Sequence, residues 1–403
     1  MTQAQQNHRM IVPDIARGLA LLGIALANVP TAWAPASPEL RASSLGGVVH
    51  AADVPTVMVT AVTAHSRGLP MFSTLLGFGV GLLAMSLWRK GYPLPAARGR
   101  LILRYGILAL FGIIHGVLLF FGDIMMLYGF AGIVLAVLMP MRNKALMTTA
   151  WVLLGIWLAL GLLSTMIVAF LGAGMDVFAV PGAGASYGET LGINANWMLS
   201  QLTTLPVFLL SYLPVMLIGF VWARRGVLAH VDKHRPMLWR WVITGAVVAA
   251  GVGIPWGLAA LGVLPAGWEP GLAMLNSLLG VLTGPAILAG LALACEGTQR
   301  KVDAGGTMPL PLQVAAALGK RSMSGYILQS IVLFILVQPY LLGLGANAGA
   351  TMLGLMAAGA WAAMLIAAWV WEKMGWQGPF EWVHRHLAYG RTGALPARKP
   401  LEQ

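Results

Sequence analysis

Residues Pro13–Trp33 read PDIARGLALLGIALANVPTAW, an apolar run that carries Asp14, Arg17 and Asn28. At 1.5 Å per residue such a helix is long enough to cross the hydrocarbon of a bilayer. A helix turns about 100° per residue, so Asn28 falls roughly 20° from the direction of Arg17 and roughly 16 Å further along the axis. Asp14 sits one turn before Arg17, close enough to pair with it. Polar groups are costly inside a membrane, so this stripe faces a protein interior or a wet cavity.

The rest of the chain agrees with a membrane solvent. Of 403 residues, 58% are hydrophobic and 9% are charged, where a soluble domain carries about a quarter charged residues. Apolar stretches recur near 11–33, 69–88, 101–120, 122–140, 145–172, 204–223, 238–262, 271–295, 322–343 and 348–371. The expected fold is therefore an all-α, polytopic bundle of about ten transmembrane spans. Only Arg41 and Arg67 fall in loops on one side, whereas Arg89, Lys90, Arg98, Arg100, Arg104, Arg142, Lys144, Arg224, Arg225, Arg300, Lys301, Lys320 and Arg321 fall on the other. By the positive-inside rule both termini are cytoplasmic. The net charge of +12 thus reports topology and attraction to anionic lipid, not nucleic-acid binding. The lone Cys295 excludes an intrachain disulfide.

Four regions are expected: a five-span half at 1–172 carrying the polar site, an exterior loop at 173–201, a second five-span half at 202–390, and a basic cytoplasmic tail at 391–403. Apolar residues 51–64, in the first exterior stretch, are expected to lie in the interface or dip back into the bundle. GFGVG at 77–81 and the glycines at 106, 112 and 116 suggest close helix contacts. No metal-ligand cluster or phosphate loop stands in a supporting context.

His115 is the most pointed chemical candidate. The third span enters at Arg104 and leaves at Asp123, which places His115 inside the membrane, roughly 12 Å below the level of Asp123. An imidazole there can serve as a general base, or can simply bond a neighbouring backbone carbonyl. Asp123, at the tip of a tight hairpin, can cap the fourth helix, orient an imidazole, or do both. His65 and Arg67 precede the second span on the exterior side, at a depth near Asn28. Arg67 can hold a carboxylate or phosphate, and Asn28 can donate to a developing oxyanion. A cytoplasmic mouth gathers Asp14, Arg17, Arg104, Lys320 and Arg321.

The segments DIARGLALLGIALANVP, FSTLLGFGVG, HGVLLFFGDIMMLYG, GKRSMSGYILQS and GPFEWVHRHLAYG resemble successive signatures of the YeiB-like family of bacterial inner-membrane proteins, from about Val12 to Gly390. One departure is Gly325, where a polar pair would be expected before Tyr326. The family is more remotely similar to transmembrane acyltransferases, both the acyltransferase-3 group and the heparan-glucosaminide acetyltransferase. That similarity rests on the D-x-x-R-G entry, the Asn near the outer end and the aromatic-rich glycine segment. It implies an intramembrane histidine: neighbourhood favours His65, the YeiB-like motif favours His115.

The expectation is an acyltransferase of the bacterial inner membrane. It would move an acyl group from cytoplasmic acyl-CoA or acetyl-CoA to a hydroxyl or amine acceptor outside, whether small molecule, glycan or lipid. His115, His65, Asp123 and Asn28 are its candidate catalytic residues. Asp14, Arg17, Arg67, Arg104, Arg321, Tyr326 and Gln329 are its candidate binding residues, with no metal. The alternative is a transporter or exporter using the same stripe as a path, although broken helices are not evident in the sequence. Membrane lipids are expected neighbours, and the glycine-rich spans permit a homodimer.

Overall fold

The computed structural model describes residues 9–171 and 181–394; Asp176 and most of the basic tail lie outside them. Among the described residues every regular element is helical. Helix α1 (Val12–Asn28) continues through a π-helical turn at Val29–Trp33. It is followed by α2 (Asp53–Thr63), α3 (Gly68–Arg89), α4 (Leu94–Leu118), α5 (Met125–Leu138), α6 (Asn143–Leu171) and α7 (Tyr187–Arg225). Then come α8 (Val231–Ala260), α9 (Glu269–Gly280), α10 (Thr283–Asp303), α11 (Leu310–Lys320), α12 (Ser322–Val337), α13 (Ala350–Lys373) and α14 (Pro379–Tyr389).

Seven helices among the described residues are long and apolar enough to cross a membrane, and nine if two bent pairs each count as one span. The remaining expected span, the fourth at 122–140, is the 14-residue α5, only about 21 Å long. It is short because the α4–α5 hairpin tip lies level with the last turn of α4. Two spans are broken, contrary to the sequence-based expectation: α9–α10 bends by 55° and α11–α12 by 86°. The breaks fall at Val281–Leu282, between Gly280 and Gly284–Pro285, and at Arg321, two residues after Gly319.

The exterior loop expected at 173–201 is also corrected, because α7 begins inside it, at Tyr187. Ser186 accepts a hydrogen bond from the Glu189 N–H, and Glu189 accepts one from Ala185 N, so a Ser-x-x-Glu cap starts the helix. Residues 53–63 form α2, whose Val57 and Ala61 pack on Trp256 and Ala260 of α8, so this exterior stretch does dip into the bundle.

Glycine sets how closely the central helices approach. Gly77 of α3 lies against the Met216 carbonyl and Gly219 of α7 against the Thr74 carbonyl, so a methyl at either would overlap backbone. Gly18 of α1 meets Ala315 of α11, and Gly319 of α11 meets the Asp14 carbonyl in the same way. Such contacts replace side-chain burial with backbone dispersion, the usual source of helix cohesion in lipid. Gly77 and Gly81 therefore pack as expected, and so do Gly112 and Gly116, but Gly79 meets only the end of the Arg17 side chain and Gly106 has open space beside it.

The basic ends of the helices come together on one side. The Ile11 N–H donates to Gln299 Oε1, Arg300 pairs with Asp232, and Arg224 donates to the Met139 and Met141 carbonyls and to Asn143. At the opposite side Asp53 accepts from the backbone N–H groups of Val49, His50 and Thr351. Helix α14 lies at the basic side against α4, where His384 Nε2 bonds the Arg104 carbonyl at 2.9 Å. Burial, with the Arg104 charge second, pushes the His384 imidazole down to about 4, so it docks neutral.

Candidate functional site

Helix α4 ends at Leu118, three residues after His115, and the chain turns back at once through 119–124. Asp123 therefore returns to the depth of His115 instead of lying about 12 Å above it as a continuous helix would require. Its Oδ2 meets His115 Nδ1 at 2.7 Å, and its Oδ1 accepts from the Met126 N–H at 3.0 Å. Both roles read for Asp123 coexist: one oxygen orients the imidazole, the other caps α5. Both side chains are buried, His115 at 4% and Asp123 at 1% exposure. Gly112, one turn before His115, makes room, since a Cβ there would stand 2.6 Å from Asp123 Oδ1.

With the carboxylate at Nδ1, that nitrogen carries the proton and Nε2 presents its lone pair. Nε2 has no hydrogen-bond partner. On α12, the Tyr326 ring lies 5.1 Å from the imidazole. The Tyr326 hydroxyl and, one turn on, Gln329 Oε1 are likewise buried and unpartnered. Buried polar atoms are almost always satisfied, so three open ones on α4 and α12, whose His115 and Tyr326 rings meet, mark a place built for something other than packing.

Asn28 is half-buried on α1, one turn beyond Ile24, which packs with Leu21, Met125 and Tyr326. It thus stands on the α1 face that borders this site. The π-helical turn that follows carries Trp33, whose ring stacks face to face on Phe120 of the hairpin tip at 4.4 Å. Beside that stack opens a cavity of about 40 Å³ lined by Thr190, Asn194 and Gln338, room for a few waters.

The expected single cluster is divided. His65 stands edge-on to Trp256 at 5.4 Å, and Arg67 donates to the Val62 and Ser66 carbonyls and to Asn276 Oδ1. None of these contacts reaches His115, Asp123, Tyr326 or Gln329. The breaks that define α9 and α10 bring Asn276 under the α2–α3 loop, a placement one-dimensional reasoning does not reveal. The inner mouth is divided as well. Asp14 pairs with Arg9 at 2.7 Å and with Arg17 at 3.4 Å, as the spacing predicts for Arg17. Arg321 and Lys320 instead pair with Glu372 of α13, and Arg321 also donates to the Ala317 and Trp376 carbonyls. Arg104 donates to the Tyr389 hydroxyl at 2.9 Å. Arg17 and Arg104 both lie within electrostatic reach of Tyr105. Among the described residues no group of three metal-ligating side chains occurs.

One supporting device was missed in the sequence because it lies in the region read as a loop. Tyr187, Asn194 and Gln201 recur every seven residues along α7. They donate to the carbonyls of Leu118, Val117 and Phe121 at 3.2, 3.2 and 2.6 Å. The first two are carbonyls of the last turn of α4, left without intrahelical donors, and the third belongs to the hairpin loop that follows. The heptad spacing and the Ser186–Glu189 cap are the signals that point to it. Replacing Asn194 by Leu is expected to cost about 1–2 kcal/mol and to speed amide exchange at residues 117–126 while leaving α13 unchanged. Uniform exchange across both segments would refute a local clamp.

Comparison with known proteins adds a partial family match and two full-length relatives. Residues 222–391 match the family described as "Protein of unknown function (DUF418)". The chain is 26% identical to "Uncharacterized protein YeiB" of Escherichia coli (strain K12), covering 96% of this chain and 97% of that protein. It is 23% identical to "Uncharacterized protein YxaH" of Bacillus subtilis (strain 168), covering 95% of each. The YeiB-like resemblance holds. No solved structure matches the chain.

Proposed function

We propose that this protein is an acyltransferase of the bacterial cytoplasmic membrane that uses the His115–Asp123 pair as its base. The observation that carries the reading is a buried imidazole oriented at Nδ1 by a carboxylate and unbonded at Nε2, with the Tyr326 ring beside it. A base so held accepts the proton of an acceptor hydroxyl or amine as its heteroatom attacks a thioester carbonyl. The new C–O or C–N bond forms, the C–S bond breaks, and the proton on Nε2 passes to the departing thiolate. Tyr326 is the nearest donor for the oxyanion that develops, with Asn28 beyond it on α1. His65 lacks an orienting carboxylate among its contacts, which favours His115 as the base.

Arg17 and Arg104 suit the phosphates of acyl-CoA at the basic side. Arg104 and His115 share α4 and stand eleven residues apart, or about 16 Å along the axis. A donor that touches both must be elongated, as acyl-CoA is. The acceptor would approach from the exterior side past Trp33 and Phe120.

The two bent spans favour a second reading, export of an intact small or lipid-linked molecule, because discontinuous helices line many transport sites. One experiment separates the two. Proteoliposomes oriented with the basic face inward are loaded with acetyl-CoA labelled differently in its acetyl and CoA parts, with candidate acceptors outside. Acyl transfer leaves acetyl label on an exterior product and free CoA inside. Both labels appearing outside together would establish export instead.

A further inference from the structure

Away from the His115 site, Arg67 is a buried cation without an acid. It is 3% exposed, and among the described residues its guanidinium meets only neutral acceptors: Val62 O at 3.1 Å, Ser66 O at 3.2 Å and Asn276 Oδ1 at 2.7 Å. Asn276 is committed as well, donating to the His65 carbonyl. A guanidinium carries five N–H donors, so two remain. Buried charges are ordinarily paired, because solvation lost on burial has to be replaced. The N-terminus of the 22-residue α3 begins at the next residue and adds partial positive charge to the same spot.

Two further polar atoms here lack partners. His65 Nε2 and Trp256 Nε1 are both buried and unbonded, on rings in edge contact at 5.4 Å. An indole N–H is only a donor, and an imidazole protonated at Nε2 is a donor too. What this place lacks is an acceptor with negative charge. Space is tight on the α9 side: a Cβ on Gly280 would stand 2.6 Å from Ser66 Cβ and 3.2 Å from Arg67 Nη1, so an ion held there has to be small.

We infer that Arg67, with Trp256 and His65, binds a single small anion of halide size at the junction of the α2–α3 loop with α8 and α9. The anion neutralises Arg67 and ties the broken α9–α10 span to the rest of the bundle. The site is separate from the His115–Asp123 pair and independent of the chemistry proposed there.

The test is thermal unfolding of the purified full-length protein in detergent, with chloride exchanged for gluconate at constant ionic strength. An anion bound to the native state raises the melting temperature saturably with its concentration. Bromide should replace chloride. Trp256→Phe, which removes one N–H, should weaken the apparent chloride affinity about tenfold, and Arg67→Gln should abolish the response. His115→Ala should keep it in full, so failure of the transfer proposal would leave this result intact. Should Arg67→Gln not fold, Trp256→Phe and His65→Phe carry the test. Identical melting of the wild type in chloride and gluconate would overturn the site, as would an undiminished chloride response in Trp256→Phe.

Discussion

Replacing His115 by Gln is expected to lower acyl transfer by about a thousandfold, within the 10²–10⁴ range typical of a lost general base. The purified variant should remain folded. Gln fills most of the space and can donate to Asp123, so the carboxylate is not left bare in a dry interior. Asp123→Asn is the sharper variant. An Asn in that position can still accept from Met126 N through its oxygen, preserving the α5 cap, while its NH2 group now faces His115 Nδ1. That forces the imidazole proton onto Nε2, the nitrogen that must accept. A fall of about 10²–10⁴ is expected with the melting temperature little changed, following the logic of buried aspartates that fix a histidine tautomer. Rates within tenfold of wild type in both variants, at matched amounts of folded protein, would remove the pair from the mechanism. His65→Gln under the same conditions should leave turnover nearly unchanged, because His65 has Trp256 and no carboxylate beside it.

The second large effect concerns assembly of the bundle. Gly77→Ala and Gly319→Ala each place a methyl into a backbone carbonyl, that of Met216 or Asp14. A carbonyl on a packed helix cannot swing aside as a flexible side chain can, so α3 must part from α7, or α1 from α11. The expected cost is about 3 kcal/mol or more for each, seen as a lower melting temperature and less monodisperse protein. Gly99→Ala is the control: exposed on α4, with nothing within 4 Å of a new Cβ, it should be neutral or stabilising by up to about 1 kcal/mol from helix propensity alone. Equal behaviour of all three variants would show that glycine contacts do not set the spacing of these helices. Gly319→Ala carries a functional consequence too, since Asp14 and its partner Arg17 stand at that crossing.

Much of the architecture was legible in one dimension because lipid imposes a strong filter. Spans must be long, apolar and helical, and cations must stay on one side, so the helices and their orientation follow from composition. The hairpin at Gly122–Asp123, the Asp14–Arg17 pair and the candidacy of His115 were readable for the same reason: each depends on neighbours within a few residues. The errors share an opposite cause. The region at 187–201 was read as part of a Gly- and Ala-rich exterior loop, yet it is helical, started by the Ser186–Glu189 cap and held through Tyr187, Asn194 and Gln201 to carbonyls of the α4–α5 hairpin. Arg321 was grouped with Arg17 by depth alone, but Glu372 on α13 holds it.

By itself the sequence determined an all-helical membrane bundle with a cation-rich face and a histidine within its third span, since period, length and charge placement are local quantities. Only the tertiary structure decided that Asp123 comes level with His115, that Tyr326 faces them, and that His65 and Arg67 stand apart with Trp256 and Asn276. Those outcomes depend on where helices end and bend and on which glycines let backbones meet. These are properties of contacts between distant segments, and no periodicity along a single chain encodes them.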